Sequence, residues 1–148
     1  MTGSPHPVCT IGYERDTLDG LIGRLKAACV EVLVDVRAIA ASRRPGFSKT
    51  MLAASLDEAG IAYVHLRPLG TPKAGREAAR AGKTEAMREI YEGHLAEPEA
   101  IAALGEAAEI AKSRRAAFLC YEAEACRCHR AIVADRISRQ LKCDVIDL

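Results

Sequence analysis

The segment from Cys120 to Arg130, CYEAEACRCHR, combines the side chains best suited to chemistry in this 148-residue chain. It brings together cysteines, glutamates, a histidine and arginines, so three interpretations arise: a reactive thiol, a metal site, or cysteines buried where a helix begins. A helix start and nearby arginines favour a thiolate, whereas Glu122 and Glu124 in the same loop oppose one. The composition of the segment does not decide between the three.

As a reactive segment, it supplies three candidate catalytic residues. Cys120 is predicted to be a nucleophile or redox thiol, Glu122 a general acid or base, and His129 a further catalytic group. Cys128 lies four residues before Ile132 and would share its face of a helix, so burial of Cys128 in the core is an equally open interpretation.

As a metal site, the segment would offer Cys120, Cys126, Cys128 and His129 as zinc ligands. The spacing differs from the usual pair of C-x2-C knuckles, and adjacent residues on a helix diverge by about 100°. We therefore assign no metal ligands. Zinc remains an alternative cofactor that the spacing does not favour, with a metal or thiol sensor as the matching function, and the sequence identifies no other cofactor.

The strands and helices that must position these residues follow from the sequence pattern. Short apolar runs alternate with segments in which apolar residues recur at helical spacing. Nearly continuous apolar runs are typical of strands buried on both faces. The alternation predicts a single α/β domain over residues 1–148: a Rossmann-like three-layer sandwich, with an open, mostly parallel five-stranded sheet and helices on both faces. The five predicted strands are Val8–Gly12, Val32–Val36, Ile61–Leu66, Ala116–Cys120 and Cys143–Leu148.

Five helices are predicted between the strands. Thr17 and Ser48 are typical N-cap residues of the first two. The third contains Met87 and Leu95, the fourth begins near Pro98, and the last runs from about Arg127 to Leu141. Met51 in the second helix and Ile101 in the fourth are predicted to point inward. Residues 67–83, RPLGTPKAGREAARAGK, are predicted to form a functional or mobile loop because they are rich in glycine, proline and basic residues.

Each predicted strand ends in polar residues, and ligands of open parallel sheets bind beyond these carboxyl ends. With a strand order of 3-2-1-4-5, the first and fourth strands would flank the binding crevice. The candidate substrate-binding residues are Gly12, Tyr13, Asp35, Arg37, Arg43, Arg44, Phe47, His65 and Arg130.

Asp35 and Arg37 alternate in a strand and therefore point to the same face. They would form either a structural ion pair or, through Arg37, a ligand for a carboxylate or phosphate. In the second case Arg37→Ala would weaken anion binding and leave thermal stability nearly intact. In the first case it would destabilise the fold. Arg43 and Arg44 precede a helix start, a combination that suits an anion.

Charge and composition limit the partners. The net charge is +1 and aromatic residues make up 4% of the chain, so neither a global attraction to nucleic acid or membrane nor a base-stacking surface is expected. The N-terminus lacks the pattern of a signal peptide, which predicts a cytoplasmic protein whose cysteines are mostly reduced. Cys9, Cys29 and Cys143 lie in apolar patterns and are predicted to be core residues.

These observations favour an enzyme whose cleft binds a small anionic ligand that carries phosphate or resembles a nucleotide. A nucleic-acid-binding module, in which Phe47 could stack on a base, is the alternative. It would bind oligonucleotides with a steep salt dependence. The oligomeric state does not follow from the sequence.

A resemblance supports the same positions. The motifs TIGY, LVDVR, SRRPGFSK, AGIAYVHLRPLG and CYEAEACRCHR, in this order between Thr10 and Ile137, resemble the family called domain of unknown function 488. The resemblance implies a small cytosolic α/β domain, and automated labels in such families point to nucleic-acid repair. The chain departs from the family pattern at Tyr13-Glu14, where a histidine-serine pair is usual, and at the additional Cys126. The family motifs map onto Gly12, Asp35, Arg37, Arg43, Arg44, Phe47, His65, Leu69, Gly70, Cys120, Glu122, Cys128, His129 and Arg130.

Overall fold

The sheet contains five strands that pair in parallel throughout. The structure, a computed structural model, describes residues 6–122 and 128–148. Each strand lies within one of the five apolar runs, which confirms the predicted α/β fold class. The strands are β1 (Val8–Gly12), β2 (Val32–Asp35), β3 (Ala62–His65), β4 (Ala116–Cys120) and β5 (Val145–Asp147).

Six α-helices connect the strands in the described part of the chain. Thr17 caps the first helix, because its side chain accepts a 3.0 Å hydrogen bond from the amide of Gly20. Gly60 follows the second helix at a φ of +78°, a backbone conformation that glycine adopts without steric cost. The helices are α1 (Leu18–Ala27), α2 (Lys49–Glu58), α3 (Lys73–Arg80), α4 (Thr84–Leu95), α5 (Pro98–Ser113) and α6 (Arg130–Leu141).

Two hydrophobic cores lie on opposite faces of the sheet. Leu33 of β2 packs in one core with the inward leucines of α1 and α2. Val32 and Val34 of the same strand pack in the other, with residues of α4, α5 and α6. Successive side chains of a strand point to opposite faces, so continuous apolar runs are what such a three-layer sandwich requires.

The strand order is β3-β2-β4-β1-β5 and not the expected 3-2-1-4-5. β1 and β4 are neighbours as expected, but β4 lies between β2 and β1. An apolar run indicates burial on both faces but carries no information about its lateral neighbours. β1 and β2 lead into helices on one face and β4 leads into α6 on the other, so a crevice opens at the carboxyl end of β4.

Residues 67–83 are mostly helical, which corrects the predicted loop. A short 3-10 turn spans Arg67–Leu69 and α3 follows at Lys73. Alanine, arginine, lysine and glutamate make up all of α3 except Gly75 and favour helix, whereas Pro72 and Gly82 flank it.

The predicted burial of three residues is wrong. Met51 and Ile101 are about three-fifths exposed, at 60% and 57%. In α5 the buried face is made of alanines, including Ala103 and Ala107, whose small side chains give a weak periodic signal. Cys29 is exposed at the end of α1, at a φ of +58°. No helix among the described residues has the length and apolarity needed to cross a membrane.

Candidate functional site

A cavity of about 480 Å³ opens at the carboxyl end of β4. Its walls come from the ends of β1, β2 and β4, from the segment before α6, and from α3 and the start of α4. Five of the twelve residues predicted as catalytic or substrate-binding line it: Tyr13, Arg37, Cys120, Glu122 and His129. Cys128, from the same cysteine-rich segment as the last three, also lines it.

Asp35 and Arg37 form a buried ion pair at the end of β2. Their closest atoms, Arg37 Nη2 and Asp35 Oδ2, are 2.7 Å apart, and the side chains are 6% and 0% exposed. Arg37 also donates to the carbonyl of Phe47 at 2.8 Å and to the hydroxyl of Tyr13 at 3.1 Å. Tyr63 donates to Asp35 Oδ2 at 2.6 Å. The contacts of Arg37 are those of the structural ion pair rather than of an anion ligand.

Burial by itself would lower the pKa of Arg37, but the hydrogen bonds and the charge of Asp35 outweigh it and raise that pKa above its ordinary value. Burial, together with the Asp35 carboxylate, also raises the pKa of Tyr63. The guanidinium and the phenol therefore both keep their protons beside Asp35, and both stabilise its charged form.

The loop before α2 is held against the end of β1. Phe47 is 2% exposed and stacks on Tyr13 with ring centroids 4.5 Å apart. Arg44 donates to the backbone carbonyls of Tyr13, Glu14 and Asp16. Arg43 is exposed and is not among the lining residues. Arg44 thus organises the chain after β1, and Phe47 packs inside the protein.

Gly12 and His65 support the site from within the fold. A Cβ at Gly12 would overlap the backbone of Glu122 and lie 2.8 Å from Arg130 Nη1. Glycine at this position therefore lets the segment around Glu122 pack closely against β1, and the close contact is with protein rather than with a ligand. His65 Nε2 lies 2.8 Å from the carbonyl of Arg37 and, since a carbonyl can only accept, donates to it. It fixes the backbone between β2 and the cavity.

Cys120, Cys128 and His129 form a buried cluster at the cavity, and we call these three residues the thiol-imidazole cluster. One ligand atom from each lies within 4.8 Å of the other two. Cys120 and Cys128 form a disulfide, whereas thiols were expected, and the free cysteines of the described residues are Cys9, Cys29 and Cys143. The Cα atoms of the pair are 7.2 Å apart, wider than the 4.4–6.8 Å that disulfides usually span. This spacing equally suits two separate thiols that converge on one ligand.

His129 has a defined orientation in the cluster. Its Nε2 donates to the carbonyl of Val36 at 2.6 Å, so in the neutral ring Nδ1 carries the lone pair, 3.5 Å from Cys128 Sγ. Burial lowers the pKa of His129 to about 4, although the hydrogen bond to Val36 opposes this shift. The neutral imidazole therefore presents the unprotonated Nδ1 to Cys128, and such a nitrogen can accept a thiol proton or bind a metal.

Arg130 lies beneath the cluster at the start of α6 and is completely buried. Its Nη1 contacts Cys120 Sγ at 3.2 Å and the backbone carbonyl of Glu122. A guanidinium at this distance favours the thiolate over the thiol when Cys120 is reduced. Arg130 therefore acts on the sulfur, and Glu122 contributes to the cavity wall.

Two arginines of the wall were missed by the sequence reasoning. Arg76 and Arg80 lie four residues apart on α3, and both line the cavity. Arg76 donates to the carbonyl of Thr71 at 2.8 Å, and Arg80 is exposed. The i,i+4 spacing within a run of helix-forming residues was the available signal, and interpreting the run as a loop concealed it.

The four-ligand zinc set is only partly described. Cys126 lies outside the described residues, as do Glu124 and Arg127. Cys128 and His129 do not diverge along a helix as expected, because α6 begins at Arg130. Both residues precede the helix, and their ligand atoms converge.

Comparison with known proteins gives one match. The family model described as domain of unknown function DUF488 matches residues 17–137, which confirms the resemblance seen in the motifs. Searches of curated proteins and of solved structures found no match.

Proposed function

Since the chain belongs to the family called domain of unknown function DUF488, a name that assigns no reaction, we propose a function from its own geometry. The protein is an enzyme that binds a small anionic molecule, one that carries phosphate or resembles a nucleotide. It acts on this molecule at the thiol-imidazole cluster.

One observation carries this function: the cluster and two arginines share a single cavity. Arg76 and Arg80 bring two positive charges to one wall, against the single carboxylate of Glu122 among the lining residues. The donors of Arg37 are directed to Asp35, Phe47 and Tyr13 within the protein. The anion-binding role expected for Arg37, Arg43 and Arg44 is therefore better filled by the arginines of α3, which suit phosphate and carboxylate oxygens.

The cluster supplies the chemical groups that the anion would meet. In the reduced state, Arg130 favours a thiolate at Cys120, and Nδ1 of His129 can accept the proton of Cys128. Glu122 lines the cavity and would serve as a general acid or base. Nucleophile, base and anion-binding groups then lie around one space, as a thiol-dependent enzyme requires.

The binding step is tested by calorimetric titration of the protein with inorganic phosphate, pyrophosphate and adenosine monophosphate. Arg80→Ala should weaken the binding of at least one of them by about tenfold or more, because a hydrogen bond to a charged group contributes about 1.5–3 kcal/mol. Lys73→Ala is the matched control: it removes the same charge from the same helix at a side chain that is 83% exposed.

A second measurement tests whether the anion reaches the cluster. The bound anion should slow the alkylation of reduced Cys120 and Cys128 by iodoacetamide, which mass spectrometry measures. The alkylation rate of the exposed Cys29 should stay the same. Equal losses of affinity in Arg80→Ala and Lys73→Ala would contradict the site. So would binding that does not protect the cysteines. A short oligonucleotide that binds with a steep salt dependence, when none of the three anions binds, would favour the nucleic-acid alternative.

A further inference from the structure

We infer that the thiol-imidazole cluster, in its reduced form, binds a zinc ion through Cys120 Sγ, Cys128 Sγ and His129 Nδ1. We infer further that the fourth position of this ion faces the cavity. The metal site stands on the geometry of these three residues. The assignment of its fourth position to the substrate rests on the proposed function.

The distances suit the ion. With Zn–S bonds of about 2.3 Å and Zn–N bonds of about 2.0–2.1 Å, tetrahedral geometry places a sulfur and a nitrogen ligand about 3.5 Å apart. In the disulfide form, Cys128 Sγ and His129 Nδ1 already lie 3.5 Å apart, and reduction frees both sulfurs for the ion. The Cα atoms of Cys120 and Cys128 are 7.2 Å apart, which leaves room for an ion between two thiolates.

The orientation of His129 is the second observation. Histidines that bind metal usually donate their other ring N–H to a carbonyl or carboxylate, which fixes the tautomer and directs the free nitrogen at the ion. His129 makes this contact through Nε2 to the carbonyl of Val36 at 2.6 Å. Val36 directly follows β2, so the sheet itself holds the ring in place.

The sulfur side has comparable support. Arg130 Nη1 lies 3.2 Å from Cys120 Sγ and stabilises negative charge on it. Zinc binding would displace the two thiol protons to solvent and form two Zn–S bonds and one Zn–N bond, with no change of oxidation state. Two thiolates and one imidazole are ligands that zinc accepts readily.

Three protein ligands leave one coordination position, as in zinc sites that catalyse reactions rather than in those that only stabilise a fold. Cys120, Cys128 and His129 all line the cavity, so this position opens towards Arg76 and Arg80. A water molecule or an oxygen of the anionic ligand would complete the tetrahedron, and a zinc-bound water is a nucleophile near neutral pH.

The test starts from full-length protein that is reduced with a phosphine, freed of metal by a chelator and then titrated with zinc or cobalt. We expect one zinc per chain by elemental analysis after desalting, and a cobalt spectrum with thiolate charge-transfer and tetrahedral bands. Cys120→Ser and Cys128→Ser should each weaken zinc binding by more than the ten- to hundredfold caused by the loss of an outer partner of a ligand. Cys29→Ser, at an exposed cysteine, should leave it unchanged.

Cys126→Ser tests the open position, because Cys126 is the remaining candidate ligand of the segment. Retained affinity and an unchanged cobalt spectrum support three protein ligands. A spectrum that loses thiolate intensity would show a closed site and overturn the open one. Reduced protein that binds no zinc, or zinc that persists in the Cys120→Ser/Cys128→Ser double variant, would overturn the metal site.

The two proposals can fail separately. Phosphate titrations of the metal-free protein and of Arg80→Ala report on the anion site without the ion. Phosphate that changes the cobalt spectrum of the wild-type protein but not that of Arg80→Ala supports a fourth position occupied by the ligand. If phosphate binds but leaves the cobalt spectrum unchanged, the ligand does not occupy the fourth coordination position. The metal site itself is not contradicted by that result.

Discussion

Replacement of Arg37 by alanine tests whether the residue holds the fold or binds the ligand. Among the described residues, the change leaves the carboxylate of Asp35, which is 0% exposed, with the hydroxyl of Tyr63 and the backbone amide of residue 37 as its donors. It also removes the donors to the carbonyl of Phe47 and the hydroxyl of Tyr13. Removing one partner of a buried ion pair costs about 3–5 kcal/mol, because the other charge stays buried without compensation.

In a domain of this size, such a loss corresponds to a fall in Tm of about 10 °C or more. The free energy of unfolding in urea gives the magnitude directly, provided that the slope of the transition stays constant. Arg43→Ala is the matched control, since it removes the same side chain from an exposed position nearby. It should change the free energy of unfolding by less than about 0.5 kcal/mol.

A double variant separates the ion pair from packing. Asp35→Asn/Arg37→Met removes both charges and keeps most of the volume, so it should be less destabilised than the sum of the two single changes. The reasoning is refuted if Arg37→Ala costs under about 1 kcal/mol, the range of an exposed ion pair, and abolishes the binding of phosphate. Arg37 would then be the anion ligand that the strand pattern also allowed.

Two further changes probe other parts of the site. Gly12→Ala should displace the Glu122 backbone and Arg130, because the new Cβ would overlap the Glu122 carbonyl and lie 2.8 Å from Arg130 Nη1. The loss of the Arg130 contact should slow the alkylation of reduced Cys120. Gly23→Ala, at a helical glycine with open space around it, should instead stabilise the protein by about 0.5–1 kcal/mol in urea unfolding. For Tyr63 the raised pKa means that its stabilising contribution is complete below about pH 10, the ordinary value, and is lost as the pH rises above it. Tyr63→Phe should therefore flatten the alkaline fall in the free energy of unfolding, and one late phenol should disappear from the absorbance titration. An unchanged alkaline profile would contradict the buried contact with Asp35.

The strands were predictable from continuous apolar runs, which burial on both faces explains for β1, β2 and β4 but not for the half-buried β3 or the exposed β5. Their order was not, since hydrogen bonding between strands is made by backbone groups that all residues share. α3 was missed for a related reason. The glycines and prolines of residues 67–83 suggested a loop, although the residues of α3 other than Gly75 favour helix.

At the site, the residue types indicated which side chains could do chemistry, but they did not indicate which side chains contact one another. The cysteine-rich segment was recognised as one wall of a cleft, and the structure brings Cys120, Cys128 and His129 together there. The sequence left open whether Arg37 pairs with Asp35 or binds a ligand, because that depends on burial and on Tyr13, Phe47 and Tyr63 from three other segments. Arg76 and Arg80 could be assigned to the cavity only once α3 had a position.

The thiol-imidazole cluster and the two arginines that line the cavity come from separate segments of the chain. The cluster belongs to the end of β4 and the segment before α6, whereas the arginines belong to α3, within the long connection between β3 and β4. α3 lies outside the sheet and packs chiefly against α4. Under the proposed function, substitutions in α3 would change which anion is bound and leave the thiol-imidazole cluster in place, so relatives that differ in α3 would share a chemistry and differ in substrate.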